Sequence, residues 1–286
     1  MAGFADTNAI VNALTVSGYG QALPYLKTKA ANTATGVHYT LWGDTGFPGA
    51  GTYAGAAITA AQALSTTAGA MPYLNPGSGR DMFALTATGA QTASSITEFG
   101  TLHLWDRLLY YPGIDDNSNA LQTFTNGVAL PRYTTGVGVH MFLEQTVVGG
   151  ATARTATILY QDPDGNETAA ETTGAQTVAV SSVSGRFPHA FTWFPLAAGD
   201  TGVKRATSIQ YSAAGGTGGA TTCLVLAKLL TMIPLPSSRP SFLTDHVRGP
   251  MLLPEIKDGA CLFWTMSAGS AASVPSFSGL VQLCEN

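Results

Sequence analysis

The stretch LWGDTGFPGAG, residues 41–51, is the first candidate for chemistry, because glycine-rich loops can hold phosphate groups through their backbone N–H groups. A Walker A loop needs Lys followed by Ser or Thr after its last glycine, and this stretch contains no Lys. Gly46, Gly49 and Gly51 form GxxGxG, the wrong order for a dinucleotide loop, and Pro48 lies inside the turn. The glycines therefore indicate tight turns and close approach of another backbone.

Side chains that could bind metal or act as nucleophiles have no recognisable spacing. The histidines form neither HxH nor HxxxH, the three cysteines form no CxxC, and no serine lies in the strand–turn–helix context of GxSxG. We predict buried free thiols, no catalytic residue, no cofactor and no metal, and hence a protein that is not an enzyme. A hydrolase on a β-sandwich is the lowest-ranked alternative. The residues considered were His38, His103, His140, His189, His246, Cys223, Cys261 and Cys284.

Aromatic residues cluster in WDRLLYYPG (105–113) and FPHAFTWFP (187–195). Exposed rings of this kind could stack on sugars, as in carbohydrate-binding sandwiches. The favoured interpretation is that Trp105 and Trp193 belong to the core, while Tyr110 and Tyr111 line a subunit contact.

The elements that position these candidate residues are predicted to be strands. Residues 80–286 contain eight or nine apolar, strand-sized segments separated by Gly, Pro, Asn or Asp, which indicates an all-β, jelly-roll-like sandwich. Residues 1–79 are predicted to be an extended, mostly irregular N-terminal arm for docking, with a strand at 36–42 and a short helix near 6–14 capped by Asp6 or Thr7. The predicted strands include TTCLVLAKLLTMIPL (221–235), QTVAVSSV (176–183) and HAFTWFPL (189–196).

Two connections have distinctive composition. DPDG, residues 162–165, has the composition of a hairpin turn, which we favour over a weak Ca²⁺ site in DPDGNE. PLPSSRPSF, residues 234–242, indicates a proline-rich crossover that could lie on a neighbouring molecule.

Charge is sparse in this chain of 286 residues. Only 10% of the residues are charged, against roughly 25% in ordinary soluble domains, and the net charge is −4 with no basic cluster. This composition argues against direct nucleic-acid binding and favours a surface buried against other molecules. The N-terminal residues do not resemble a signal peptide, and no long apolar run follows, so we expect synthesis in a cytoplasm and no membrane association.

Several runs together resemble a group of tailed-bacteriophage virion structural proteins of undefined role. The runs are TLWGDTGFPGAG (40–51), LPRYTTGVGVHMFLE (130–144), TATILYQDPDGN (155–166), LAAGDTGVKRATSIQYSA (196–213) and IKDGACLFWTM (256–266). They occur in the same order and are spread over residues 40–266. The resemblance implies a virion component that is made in the host cytoplasm and carries no known catalytic motif.

The leading hypothesis is a capsid decoration or accessory head protein that contacts capsid subunits and itself, as a homotrimer. The alternative is a tail, baseplate or fibre component with a possible host-glycan contact. The candidate assembly contacts are Trp42, Phe47, Gly49, Gly51, Tyr110 and Tyr111.

Overall fold

The computed structural model describes residues 4–92, 100–150, 152–168, 170–178, 185–236, 241–248, 253–271 and 274–286. This part of the chain contains one helix, α1 (Thr7–Thr15), and sixteen strands, which confirms the all-β prediction. The strands are β1 (Gly20–Thr28), β2 (His38–Thr40), β3 (Thr45–Phe47), β4 (Ala61–Gln62), β5 (Met82–Thr92), β6 (Gly100–Asp115), β7 (Gln122–Thr123), β8 (Val139–Val147), β9 (Arg154–Gln161), β10 (Gln176–Val178), β11 (Arg205–Tyr211), β12 (Thr221–Leu235), β13 (Phe242–Asp245), β14 (Glu255–Ile256), β15 (Leu262–Ala268) and β16 (Ser276–Glu285).

The strand order is that of a jelly roll. Sheet A has the order β13-β5-β16-β1-β3, with β14 also paired to β5, and sheet B has the order β2-β15-β6-β12-β8, with β4 on β6. Eight of these strands are divided equally between the two sheets: β1, β2, β5, β6, β12, β13, β15 and β16. In chain order they lie as first-eighth-third-sixth in sheet A and second-seventh-fourth-fifth in sheet B, which is the arrangement of two Greek keys.

A long insertion separates the fourth and fifth jelly-roll strands. Residues 116–220 lie between β6 and β12 and contribute β8 to the edge of sheet B. They also form sheet C, with the order β10-β9-β11-β7. Because β6 has 16 residues and β12 has 15, sheet B extends beyond sheet A and also serves as a base for sheet C. One apolar core fills the space between sheets A and B, and a second lies between sheets B and C.

A buried ion pair links these two cores. Arg132, in the insertion, donates from Nε and one terminal nitrogen to the two carboxylate oxygens of Asp106 on β6, at 2.8 and 2.7 Å. The backbone N–H of Cys261 donates to the same carboxylate at 2.9 Å. The carboxylate is therefore fully hydrogen-bonded although it is excluded from water, as buried charges require.

Residues 185–187 close sheet B on itself. On one side, the N–H of Gly185 and the carbonyl of Arg186 bond to the backbone of Gln145 on β8. On the other side, the carbonyl of Gly185 and the N–H of Phe187 bond to β2, where Arg186 forms a bridge with Tyr39. The face of sheet B turned away from sheets A and C therefore encloses a third apolar core.

The N-terminal segment supplies both regular and irregular parts. Its helix begins after Asp6, whose carboxylate accepts from the N–H of Ala9, as predicted. The strands β1 and β2 are the first two jelly-roll strands, and β1 pairs with β16 along its whole length. Residues 41–79 cross the molecule mostly without regular structure. A docking role of residues 1–79 towards other molecules stays a prediction.

Two predicted strands differ in the structure. Residues 189–196 are not a strand: His189 forms one isolated bridge with Val178, and neither Pro188 before the segment nor Pro195 within it has an N–H to donate. Of 176–183, residues 176–178 form β10 and 179–184 lie outside the described residues. The strand at 221–235 is confirmed.

Of the two predicted connections, the turn at 162–165 is confirmed, with Gly165 at φ 92°. Most of the crossover 234–242 falls on strand ends or on undescribed residues.

Candidate assembly surface

The six predicted contact residues divide into buried and exposed positions. Trp42, Tyr110 and Tyr111 are buried in their own chain, so their side chains are core residues and not surface contacts. The Tyr110 hydroxyl donates to the carbonyl of Ala54 at 2.7 Å, and the Tyr111 hydroxyl donates to Asn126 Oδ1 at 2.8 Å.

Of the aromatic residues considered as sugar platforms, Trp105, Tyr111 and Phe194 are fully buried. A sugar ring could not reach them in this fold.

The glycine loop packs directly on Trp42. The indole lies in the enclosed core of sheet B, where its Nε1 donates to the carbonyl of Thr52 at 3.0 Å. Gly51 lies against the ring, since a Cβ built on it would come within 2.2 Å of the Trp42 Cε2 atom. Gly69 lies over Gly51 in turn, with its hypothetical Cβ 2.4 Å from the Gly51 Cα. Position 51 is a glycine because the Trp42 indole and the backbone at Gly69 both lie against it.

Gly51→Val is expected to lower the free energy of unfolding by about 3 kcal/mol or more, because the added side chain overlaps the buried indole. The matched control is Gly49→Val. Nothing lies within 4 Å of a Cβ at Gly49, which is exposed, so this variant should stay within about 0.5 kcal/mol of wild type. Urea denaturation followed by tryptophan fluorescence measures both values. Equal destabilisation of the two variants would contradict the packing argument.

A fully buried cation occupies the centre of the same core. Arg107 on β6 donates to Glu144 on β8 at 3.0 Å, and neither side chain is exposed. The guanidinium also lies 4.7 Å from the ring centre of Trp42 and 5.3 Å from that of Phe263. Burial, the largest single influence, lowers the pKa of Arg107, but Glu144 and the neighbouring thiol and phenol groups together outweigh it, so the pKa lies above its usual value. Arg107 therefore ties the glycine loop, through Trp42, to the sheet.

His103, His189 and His246 are buried, and His38 and His140 are half-buried. Burial lowers the pKa of all five, to about 4 for His103 and His140 and to about 3 for His189. His189 Nε2 accepts from the N–H of Leu143 at 3.1 Å, and its Nδ1 lies 3.3 Å from the N–H of Phe191. Neutral His189 thus holds the segment that closes sheet B against β8.

The three cysteines are free and buried, as predicted, and burial raises the pKa of each thiol. Among the described residues, no group of three or more His, Cys, Asp or Glu is arranged to hold a metal ion. No helix in the described part of the chain is long and apolar enough to cross a membrane.

A surface cleft of about 390 Å³ lies where strands of sheet A meet the insertion. Charged side chains line it, and several of them are paired. Arg132 is bound to Asp106, Lys257 contacts Glu255, and Arg80 contacts Glu285 at 3.3 Å. The cleft between sheet A and the insertion is therefore bordered by ion pairs.

The outer face of sheet A is the largest feature that sequence reasoning missed. Its outward side chains lie in cross-strand rows, and they are uncharged except for Asp245, which ends one row on the edge strand opposite Thr86. Rows are set by the register, in which Leu243 and Leu280 are each paired with Thr88, Leu280 with Pro24, and Leu26 with Phe47. We call this surface the neutral face; it comprises Ala22, Pro24, Leu26, Phe47, Thr86, Thr88, Ala90, Leu243, Ser278, Leu280 and Gln282.

Helix α1 covers only one end of this sheet surface. Ile10 and Ala13 pack on Leu85 and Cys284 next to the neutral face. The remaining rows are exposed, with 59% of Leu243, 47% of Leu26 and 38% of Leu280 accessible to solvent.

Phe47, the one predicted contact with a large exposed apolar side chain, is 47% exposed at the β3 edge of the neutral face. The signal in the sequence was the alternation in ALPYLKT (22–28), where every second residue is uncharged and outward.

Comparisons with known proteins give no family. No family model matches the chain, and no curated protein matches it significantly. Solved structures of infectious bursal disease virus are similar at a low level. A T=1 particle derived from that virus has 11% identity and a TM-score of 0.21, covering 97% of this chain and 83% of that chain. A subviral particle of its VP2 protein has 11% identity and a TM-score of 0.17, covering 97% and 86%. Scores this low support no argument, so the jelly-roll assignment rests on the strand order.

Proposed function

We propose that this protein is a structural component of a tailed-bacteriophage virion, and within the virion a capsid decoration or accessory head protein. It would act through protein–protein contacts with capsid subunits and with itself, and it would perform no catalysis. The sequence runs that resemble phage virion proteins support this role, and their implied location is the assembled particle.

The observation that carries the proposal is the neutral face. A monomer in solution normally presents charged side chains on an open sheet surface, whereas here the outward rows that contain Leu280 and Leu26 are uncharged. Exposed apolar side chains in one surface mark protein contact sites. Phe47 and Leu26, paired across β1 and β3, supply the largest side chains of this surface near one edge.

The position of the protein in intact particles tests the proposal. Mass spectrometry of purified particles should detect it, and cryo-electron microscopy should show copies in regular register on the head. Copies found only at the tail tip would reject decoration and favour the alternative tail, baseplate or fibre role. Absence from purified particles would reject a virion role altogether.

A further inference from the structure

The neutral face is large enough to be one half of a small interface. Five strands at a spacing of about 4.8 Å span about 19 Å, and the three rows described above add about 14 Å along the strands. With the widths of the outer side chains, the face measures on the order of 500 Å² per molecule. Two such faces in contact would bury about 1,000 Å² in total, which is at the lower limit for a specific protein interface.

The chemistry of the face suits a copy of itself. Hydroxyl and amide groups donate as well as accept hydrogen bonds, so Thr88, Ser278 and Gln282 can each pair with hydroxyl or amide groups on the same face of a second molecule. A charged partner would lose hydration there without gaining an opposite charge, because the face contains no cation or anion. Phosphate-rich partners such as nucleic acid or anionic membranes find no Lys or Arg on it.

The nearest acidic residue lies at the border of the face. Asp245 is on the edge strand β13 opposite Thr86, and its carboxylate already accepts from the N–H groups of Val247 and Arg248. Two copies of a chain with net charge −4 would therefore meet through a surface whose central rows bring no like charges together.

From these observations we infer that the neutral face binds the neutral face of a second copy of this chain, in a two-fold symmetric contact. The contact is isologous, so Leu280 and Thr88, in the middle row, lie near the symmetry axis. A small, neutral interface of this kind binds weakly in dilute solution and becomes occupied when copies are concentrated on a particle. This inference deepens the proposed function, on which its biological setting rests.

Sedimentation equilibrium of the purified full chain over about 5–200 μM tests the inference. Wild type is expected to rise with concentration from 29.5 kDa towards twice that mass. Leu280→Lys and Leu26→Lys place a charge in both halves of the contact and should raise the dimer dissociation constant at least tenfold. Leu121→Lys, at a 60% exposed position outside the neutral face, is the matched control and should dimerise like wild type. Unchanged circular dichroism spectra verify that the variants fold.

Two outcomes of the sedimentation experiment would overturn the inference. Wild type that stays at 29.5 kDa throughout the range has no such contact. Self-association that survives both neutral-face variants uses another surface, as would a homotrimer of three times 29.5 kDa that ignores them. Detection of the protein in particles while it remains monomeric would refute this inference and leave the proposed function intact, whereas dimerisation with absence from particles would do the reverse.

Discussion

Replacing Arg107 with methionine is expected to lower the free energy of unfolding by about 3–5 kcal/mol, the largest single-residue effect that we predict. The substitution leaves the Glu144 carboxylate without its cation in a core from which water is excluded. It also removes the cation from the faces of Trp42 and Phe263. Urea denaturation monitored by tryptophan fluorescence and by circular dichroism measures the loss.

Two further variants separate charge from packing. The double variant Arg107→Met/Glu144→Leu removes both charges and should regain most of the lost stability, because apolar residues of similar volume can replace a buried ion pair. Arg205→Met breaks the pair with Glu167, whose side chains are 41% and 24% exposed, and should cost less than about 1 kcal/mol. If the double variant were as unstable as Arg107→Met, shape and not the unpaired charge would be responsible.

Acid is expected to destabilise the protein steeply between about pH 6.5 and pH 4. The pKa of His103 is lowered to about 4 and that of His189 to about 3, while an unfolded histidine has a pKa of about 6.5. The unfolded chain therefore binds more protons in this interval, so stability is fully present above about pH 6.5 and is lost as the pH falls. Each of these two buried groups contributes about 3 kcal/mol of the loss at pH 4.

Other groups set the controls for this pH dependence. Burial raises the pKa of Asp44 and Asp106, so their contribution changes in the opposite direction on acidification. His103→Gln removes one titrating group, and the difference in unfolding free energy between pH 7 and pH 4 should shrink by about 3 kcal/mol. NMR titration of the imidazole signals checks the cause, since His103 should stay neutral down to about pH 5. An ordinary titration of His103 near pH 6.5 would contradict it.

Protonation of His189 has a structural consequence where its segment is attached to β8. His189 Nε2 accepts from the N–H of Leu143 on β8, so the neutral ring carries its hydrogen on Nδ1. Protonation converts both nitrogens into donors, so the segment that closes sheet B loses this attachment. Exposure of Trp105, fully buried beneath it, should accompany the acid transition as a change in tryptophan fluorescence.

Local patterns predicted the parts of the fold that depend on local chemistry. The Asp6 cap, the turn at 162–165 and the long strand at 221–235 each follow from a few neighbouring residues, and each is in the structure. The strand prediction for 189–196 was wrong because aromatic and β-branched content cannot distinguish a strand from an irregular segment that packs its rings inward. In that segment, Pro188 and Pro195 outweighed the composition.

The candidate site could be predicted only in part. Low charge predicted a contact surface, and Phe47 is exposed on the neutral face, but Trp42, Tyr110 and Tyr111 are inside the molecule. An aromatic side chain has the same sequence signature in a core and in an interface, because both remove it from water. The alternation along β1 is a sequence signal for the outward orientation of Leu26. It carries no information about which residues of other strands lie beside Leu26.

The sequence by itself determined that the chain is all-β and that glycines in 46–51 mark close backbone approach, and its sparse charge argues against a nucleic-acid partner. These conclusions depend on residue type and on spacing along the chain. Only the tertiary structure decided that Gly51 abuts Trp42, that Arg107 meets Glu144, and that five strands align their uncharged residues in one face. The reason is physical: strand register joins residues far apart in the chain, such as Pro24 and Leu280, and no local preference encodes that pairing.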